Sequence, residues 1–139
     1  MNMLFPKIYL YRRIVQAKLF IDANFATHID LDNIADEASF SKFHFIRLFK
    51  EIYGKTPHQY LIAVRVDKAT RLLAEGKSVS ETCGEVGFES ISSFSGLFKR
   101  MVGISPSVYL QQQTERNEKI SETPLSFIPN CFAEAKGWI

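Results

Sequence analysis

Cysteine is scarce in this chain: Cys83 and Cys131 are its only two in 139 residues, which is no disulfide framework for a domain of this size. No apolar run approaches the ~18 residues of a membrane-spanning helix. The opening Met1-Asn2-Met3-Leu4-Phe5-Pro6-Lys7 does not have the layout of a secretory signal. A reduced, cytoplasmic protein with no membrane partner is the simplest expectation. His28, His44 and His58 are too scattered for a metal site, and the cysteines add no recognisable ligand set. No metal, cofactor or catalytic group is therefore expected. Charge of one sign is also lacking: the net charge of +2 does not by itself argue for nucleic acid.

What the chain has is hydrophobic mass and a charge gradient. With 46% hydrophobic residues and twelve Phe it can bury a real core, which rules against general disorder. Its length allows one domain, or two very small ones sharing a core. Residues 22–37 carry Asp22, Asp30, Asp32, Asp36 and Glu37, while 42–71 carry Lys42, Arg47, Lys50, Lys55, Arg65, Lys68 and Arg71 against Glu51 and Asp67. One part of the surface should be basic although the mean is near neutral.

The chain also says one thing twice. Phe49-Lys50-Glu51-Ile52-Tyr53-Gly54-Lys55-Thr56-Pro57-His58-Gln59-Tyr60-Leu61 recurs 49 residues later as Phe98-Lys99-Arg100-Met101-Val102-Gly103-Ile104-Ser105-Pro106-Ser107-Val108-Tyr109-Leu110. The same register pairs Ser41 with Ser90, Phe45 with Phe94 and Leu48 with Leu97. The apolar skeleton, one Lys, a helix-ending Gly and a helix-starting Pro are kept, and the surface is not. Stacked solenoids usually need three or more copies. Two copies suit a protein that reads two neighbouring places on one partner.

The boundary signals are helical throughout, and no segment alternates as a strand. Spacing predicts a helix from Tyr11 to about Phe25 with Ile14, Ala17, Phe20 and Ile21 on one face. Asp30 can cap a short helix over Leu31–Ala38. Ser41 can cap the next, which runs to Tyr53, carries the stripe Phe45, Leu48, Phe49 and Ile52, and stops at Gly54. Thr56 followed by Pro57 opens a long helix ending before Gly76, with Tyr60, Leu61, Val64, Ala69, Leu72 and Leu73 inward. Ser78-Val79-Ser80-Glu81 reads as a capping box before a short helix to Val86. Ser90 or Ser92 starts a helix ending at Gly103, and Ser105-Pro106 starts a last one, expected to fray after Gln113. The expectation is an all-α protein of about seven helices.

Each half therefore holds a short helix, a tight turn and a second helix with a Phe-rich inner face. A helix-turn-helix needs this: the first helix braces the second, whose outer face enters a major groove. At this point the chain resembles the AraC/XylS family of bacterial transcription regulators. The resemblance is carried by Ile34-Ala35, Ser41-Lys42-Phe43-His44-Phe45-Ile46-Arg47-Leu48-Phe49-Lys50 and Gly54. The second half adds Gly87-Phe88-Glu89-Ser90, Phe94-Ser95, Phe98-Lys99-Arg100, Gly103, Ser105-Pro106 and Tyr109. It covers about residues 10–112. It implies a first helix-turn-helix subdomain over 10–55, a linker helix over 56–76, a second subdomain over 77–113 and a tail over 114–139. It also implies two recognition helices, about 41–53 and 90–102, in successive major grooves of double-stranded DNA. The linking helix, Pro57 to Glu75, would measure about 28 Å at 1.5 Å per residue. That suits neighbouring groove faces about 34 Å apart, bridged by a monomer.

On the first recognition helix the resemblance puts base readout at Phe43, Ile46 and Arg47. The Arg47 guanidinium can donate two hydrogen bonds to a guanine edge, whereas Phe43 and Ile46 could only pack on thymine methyls or sugars. Ser41, Lys42 and Lys50 fit phosphates, which give affinity and salt dependence without sequence information. On the second helix Ile91, Ser92 and Ser95 are the corresponding base readers, with Ser90 and Lys99 on the backbone. Gly96 stands where relatives commonly have Arg, so the second reader should discriminate bases less sharply.

The remaining residues have plainer readings. Cys83 falls where the family usually has an aliphatic core residue, and Arg65 resembles its linker-helix Arg, with a structural role. The acidic first helices form a solvated face that could meet RNA polymerase. The tail combines Pro124 and Pro129 with Leu125, Phe127, Ile128, Phe132, Trp138 and Ile139, so it should be non-helical near the prolines and docked, on its own domain or on a partner. The family's usual sensory module is β-rich and nothing here could be one; the initiating Met and the tail favour a stand-alone regulator. The rival reading is a protein-interaction module that binds another regulator or polymerase with little DNA affinity. Gly96 and the low net charge favour it, and Arg47, Lys50 and Lys99 argue against it. Some relatives carry metal-thiolate alkyl-transfer domains, but no suitable cysteine cluster occurs here.

Overall fold

The computed structural model describes residues 4–29 and 42–122. Among them are six helices and no strand: α1 (Leu4–Asn24), α2 (Lys42–Tyr53), α3 (Pro57–Ala74), α4 (Val79–Glu85), α5 (Ile91–Val102) and α6 (Pro106–Glu122). The expected short helix over Leu31–Ala38 and the apolar stretch beyond residue 122 lie outside the described residues.

α3 is the rod on which both halves are built. Thr56 and Gln59 close its start reciprocally: the Gln59 amide donates to Thr56 Oγ1 at 3.2 Å and the Thr56 amide donates to Gln59 Oε1 at 3.0 Å. Pro57 fills the first turn, where its missing N–H costs nothing. The complete capping box thus sits here rather than at Ser78, where only the serine half forms. The Glu81 amide donates to Ser78 Oγ at 3.1 Å, while the carboxylate lends its charge to Lys77, whose ammonium is held by Glu85 at 2.6 Å.

Two aromatic cores flank the rod. Ile14, Ala17 and Ile21 of α1, Phe45 and Phe49 of α2, and Leu61 of α3 form the first. Val66, Ala69, Leu72 and Leu73 of α3, with Cys83, Val86, Phe94 and Phe98, form the second. The repeat survives in ring geometry. Phe49 meets Tyr60 edge-on at 5.7 Å and 68°, and its counterpart Phe98 meets Tyr109 at 5.6 Å and 69°. Gly54 and Gly103 end α2 and α5 with φ of 76° and 100°, a left-handed turn that glycine adopts without strain.

Several expectations are corrected. α1 begins at Leu4, seven residues earlier than expected; Pro6 is tolerated because first-turn amides have no helical acceptor. Phe20 is 46% exposed, since three residues from Ala17 falls about 60° short of a full turn, on the flank away from Ile21. Ile52 is 38% exposed, and Tyr53 packs in its place, 4.9 Å from Phe49 and 6.0 Å from Tyr60. Val64 is only half-buried, whereas Val66 is 4% exposed. α6 continues past Gln113 to Glu122: Asn117 Nδ2 donates at 3.1 Å to the Ala74 carbonyl, one of the acceptors left open at the end of α3.

α1 is tied to the rod by a short polar relay. Tyr60 Oη donates to Asp22 Oδ1 at 2.5 Å, and Lys18 Nζ lies 2.6 Å from Asp22 Oδ2. Burial, and then the bond to Asp22, raise the Tyr60 phenol above its usual range. One buried side chain works against the fold: Thr82 is wholly inaccessible and its Oγ1 has no hydrogen-bond partner. Thr82→Val should therefore stabilise the protein by about 1 kcal/mol, because an unmatched buried hydroxyl costs ~1–3 kcal/mol. Urea denaturation measures this, and a loss of similar size would show that the hydroxyl is bonded.

Candidate nucleic-acid interface

α2 and α5 each bury one face and leave the other open. Phe45 and Phe49, and their counterparts Phe94 and Phe98, point into the two cores at 1% exposure or less. Side chains on the opposite face are pushed outward by that packing. The α5 start is fixed by Ser90, whose Oγ accepts from the Ser93 amide at 3.1 Å and donates to Ser93 Oγ at 2.9 Å. Its hydroxyl therefore already serves as the helix cap, which also orients the first turn.

On α2 the open face carries Lys42, Phe43, His44, Arg47 and Lys50, all exposed. Phe43 is the extreme case, at 78%, a large apolar ring with nothing over it. Arg47 is exposed and, among the described residues, makes no hydrogen bond or ion pair, which leaves its guanidinium open to a partner. Ile46 departs from expectation: it is half-buried and packs against the first core, leaving only part of its side chain available. Ser41 lies outside the described residues.

On α5 the open face carries Ile91, Ser92, Gly96 and Lys99, all exposed, with Ser95 half-buried. In the repeat register Phe43 becomes Ser92, Ile46 becomes Ser95, Arg47 becomes Gly96, and Lys50 stays as Lys99. The second face thus keeps the terminal cation and loses the long side chains. Lys50 and Lys99 also lie in the last turn of their helices, where a cation interacts favourably with the helix dipole.

Two other residues have a defined setting. Cys83 is buried at 4% exposure, and burial raises its thiol pKa, as suits an inert core side chain. Arg65 has a structural setting: Nε donates to the Phe25 carbonyl at 2.7 Å and a terminal nitrogen donates to the Thr27 carbonyl at 3.0 Å. Among the described residues no three His, Cys, Asp or Glu side chains come together as a metal-binding group, and no helix is long and apolar enough to cross a membrane. Sequence reasoning did not find the open cleft of about 520 Å³ beside Arg65, lined by His28, Gly87, Phe88, Glu89, Ser90 and Ser93. Its walls come from three segments separated by more than 20 residues of sequence each, and only the Gly87-Phe88 turn carried a signal.

Comparison with known proteins matches residues 34–112 to the helix-turn-helix domain family. The chain belongs to the AraC/XylS family. It is 30% identical over 107 residues to the HTH-type transcriptional activator AarP of Providencia stuartii, covering 76% of this chain and 79% of AarP. It is 35% identical over 85 residues to the MmsAB operon regulatory protein of Pseudomonas aeruginosa, covering 60% of this chain and 28% of that protein. Among solved structures, the DNA-binding domain of the transcriptional factor AdpA in complex with a target DNA superposes with a TM-score of 0.70. It is 32% identical, over 74% of this chain and 94% of that one. The chain spans from 28% to 55% of the length of three of the curated relatives it matches.

Gly96 offers a clean test of the exposed α5 face. A Cβ added there would meet nothing within 4 Å, so Gly96→Ala should stabilise the protein by about 1 kcal/mol through helix propensity alone. A thermal or denaturant midpoint that fails to rise would mean the face is covered in the folded chain.

Proposed function

We propose that this chain is a sequence-specific, double-stranded-DNA-binding transcription regulator that places α2 and α5 in successive major grooves and performs no chemistry of its own. The observation that carries the reading is the repeated geometry: two exposed helix faces, each backed by the same Phe-Phe-Tyr packing, held on one rod of 18 residues, or about 27 Å. A rod of that length suits grooves about 34 Å apart.

In this reading residues 10–55 form the first reader, 56–76 the linker, and 77–113 the second reader, while 114–139 lie beyond both. Arg47 is the principal base reader, as a free guanidinium that can engage a guanine edge through two donors. Phe43 and the exposed part of Ile46 pack on methyls or sugars; Ile91, Ser92 and Ser95 make the lesser contacts of the second reader. Ser41, Lys42, Lys50, Ser90 and Lys99 hold the backbone, the Ser90 hydroxyl turning its hydrogen from Ser93 Oγ to a phosphate while its oxygen still caps α5. The regulator works in the cytoplasm as a monomer on DNA, with RNA polymerase as a second partner. The interaction-module alternative, which Gly96 and the low net charge favour, needs the Arg47 face to bind protein instead.

Selection from random duplex, with the winning site followed against salt, tests the proposal. Two unequal sequence blocks about 10 base pairs apart should emerge, and affinity should fall steeply as salt rises, since each phosphate neutralised releases counterions. Arg47→Ala should cost about 1–3 kcal/mol and relax preference in one block only. Lys99→Ala should weaken all sites alike and lower the salt slope by about 1. No enriched sequence, with weak binding throughout, would sink the proposal.

A further inference from the structure

The two halves are joined by more than the rod. Beside its midpoint, the turn after α1 meets the turn between α4 and α5. A Cβ on Gly87, whose φ is +90°, would lie 2.8 Å from the Ala26 carbonyl oxygen and 3.0 Å from its carbon. Only glycine allows this backbone-to-backbone approach. Phe25, one residue earlier, packs against both cores.

Arg65 completes the joint from the rod. Its guanidinium donates to the Phe25 and Thr27 carbonyls, so it holds the first half's turn on both sides of Ala26. The same guanidinium lies over the Phe88 ring, 5.6 Å from its centroid, and Phe88 packs on Phe94 of α5 at 5.3 Å. One planar cation thus contacts the rod, the first half and the second half. Two bodies hung on a helix can swing about their attachments. A third contact between them closes a triangle and removes that freedom.

We propose that the Arg65–Phe88–Gly87 joint is a positioning device that fixes the distance and angle between the two recognition helices, and thereby the spacing of DNA blocks the protein accepts. This rests on the DNA-binding reading above. Arg65 touches no base in this account; it acts through α1 and α5. A lysine could not replace it, because a single ammonium cannot fork to two carbonyls while lying flat on a ring.

The test uses the full chain and two readouts, one without DNA. Nitroxide labels on Glu51→Cys and Arg100→Cys, equivalent exposed positions of α2 and α5, report the inter-helix distance in a Cys131→Ser background. The parent should give one narrow distribution. Arg65→Met and Phe88→Leu should broaden it while circular dichroism keeps the parent's helix content, and Arg65→Lys should not restore it. On DNA, the selected site is compared with one carrying a single inserted base pair between its blocks. That insertion should cost the parent about 10–100-fold, comparable with one mismatch, and cost the folded Arg65→Met and Phe88→Leu variants only a few-fold. A narrow distribution in the variants, or an undiminished insertion penalty, overturns the joint. Should the parent bind no duplex while the variants still broaden, the DNA reading fails and the joint stands as an orienting device. Should Arg65→Met unfold, Phe88→Leu decides alone, because it removes the ring without leaving a buried polar group.

Discussion

Burial of paired phenylalanines against one shared helix is the constraint from which the other features follow. Phe45 with Phe49, and Phe94 with Phe98, are each almost wholly removed from water, and truncating such a ring costs about 3–5 kcal/mol. For a small domain that is a large share of total stability. Because the phenylalanines are four residues apart, their burial fixes which face of α2 and of α5 looks outward. The exposed faces are consequences of that packing. α3 then serves two cores in sequence, Leu61 for the first and Val66 onward for the second, so the halves fold onto one template.

The two outward faces have diverged while their supports have not. The Phe-to-Tyr edge contacts agree to 0.1 Å and 1° between halves, yet Arg47 stands on one exposed face where Gly96 stands on the other. Such a chain can change what it reads without changing how it folds, because the variable positions carry little of the core. Lys50 and Lys99 are kept in both halves, and each cation sits in the last turn of its helix, where it interacts favourably with the helix dipole.

Much of the fold was legible in the sequence because its signals are local. Helix starts were marked by Thr56-Pro57 and Ser105-Pro106, helix ends by Gly54 and Gly103, and the core by phenylalanines at four-residue spacing. The candidate faces followed by subtraction from those cores, Ile46 and Ser95 excepted, since a residue on the boundary of a stripe is assigned by its neighbours and not by periodicity. What was not legible depended on the ends of elements meeting other elements. Ile52 yielded its place to Tyr53 because Tyr60 covers that side. α6 outran its weak apolar signal because Asn117 reaches the end of α3. Thr82 and the Arg65 joint were likewise invisible, since their surroundings are assembled from distant segments. The role of Gly87 in admitting the Ala26 backbone also required the tertiary structure.

The most direct measurement of the central claim is a hydroxyl-radical footprint of the protein on its selected duplex. Two helices projecting from one rod should protect sugars in two patches on a single face, about one helical turn apart, with the patch under α2 the stronger. A single patch, or protection on opposite faces of the duplex, would contradict the account that one packed rod presents both readers together.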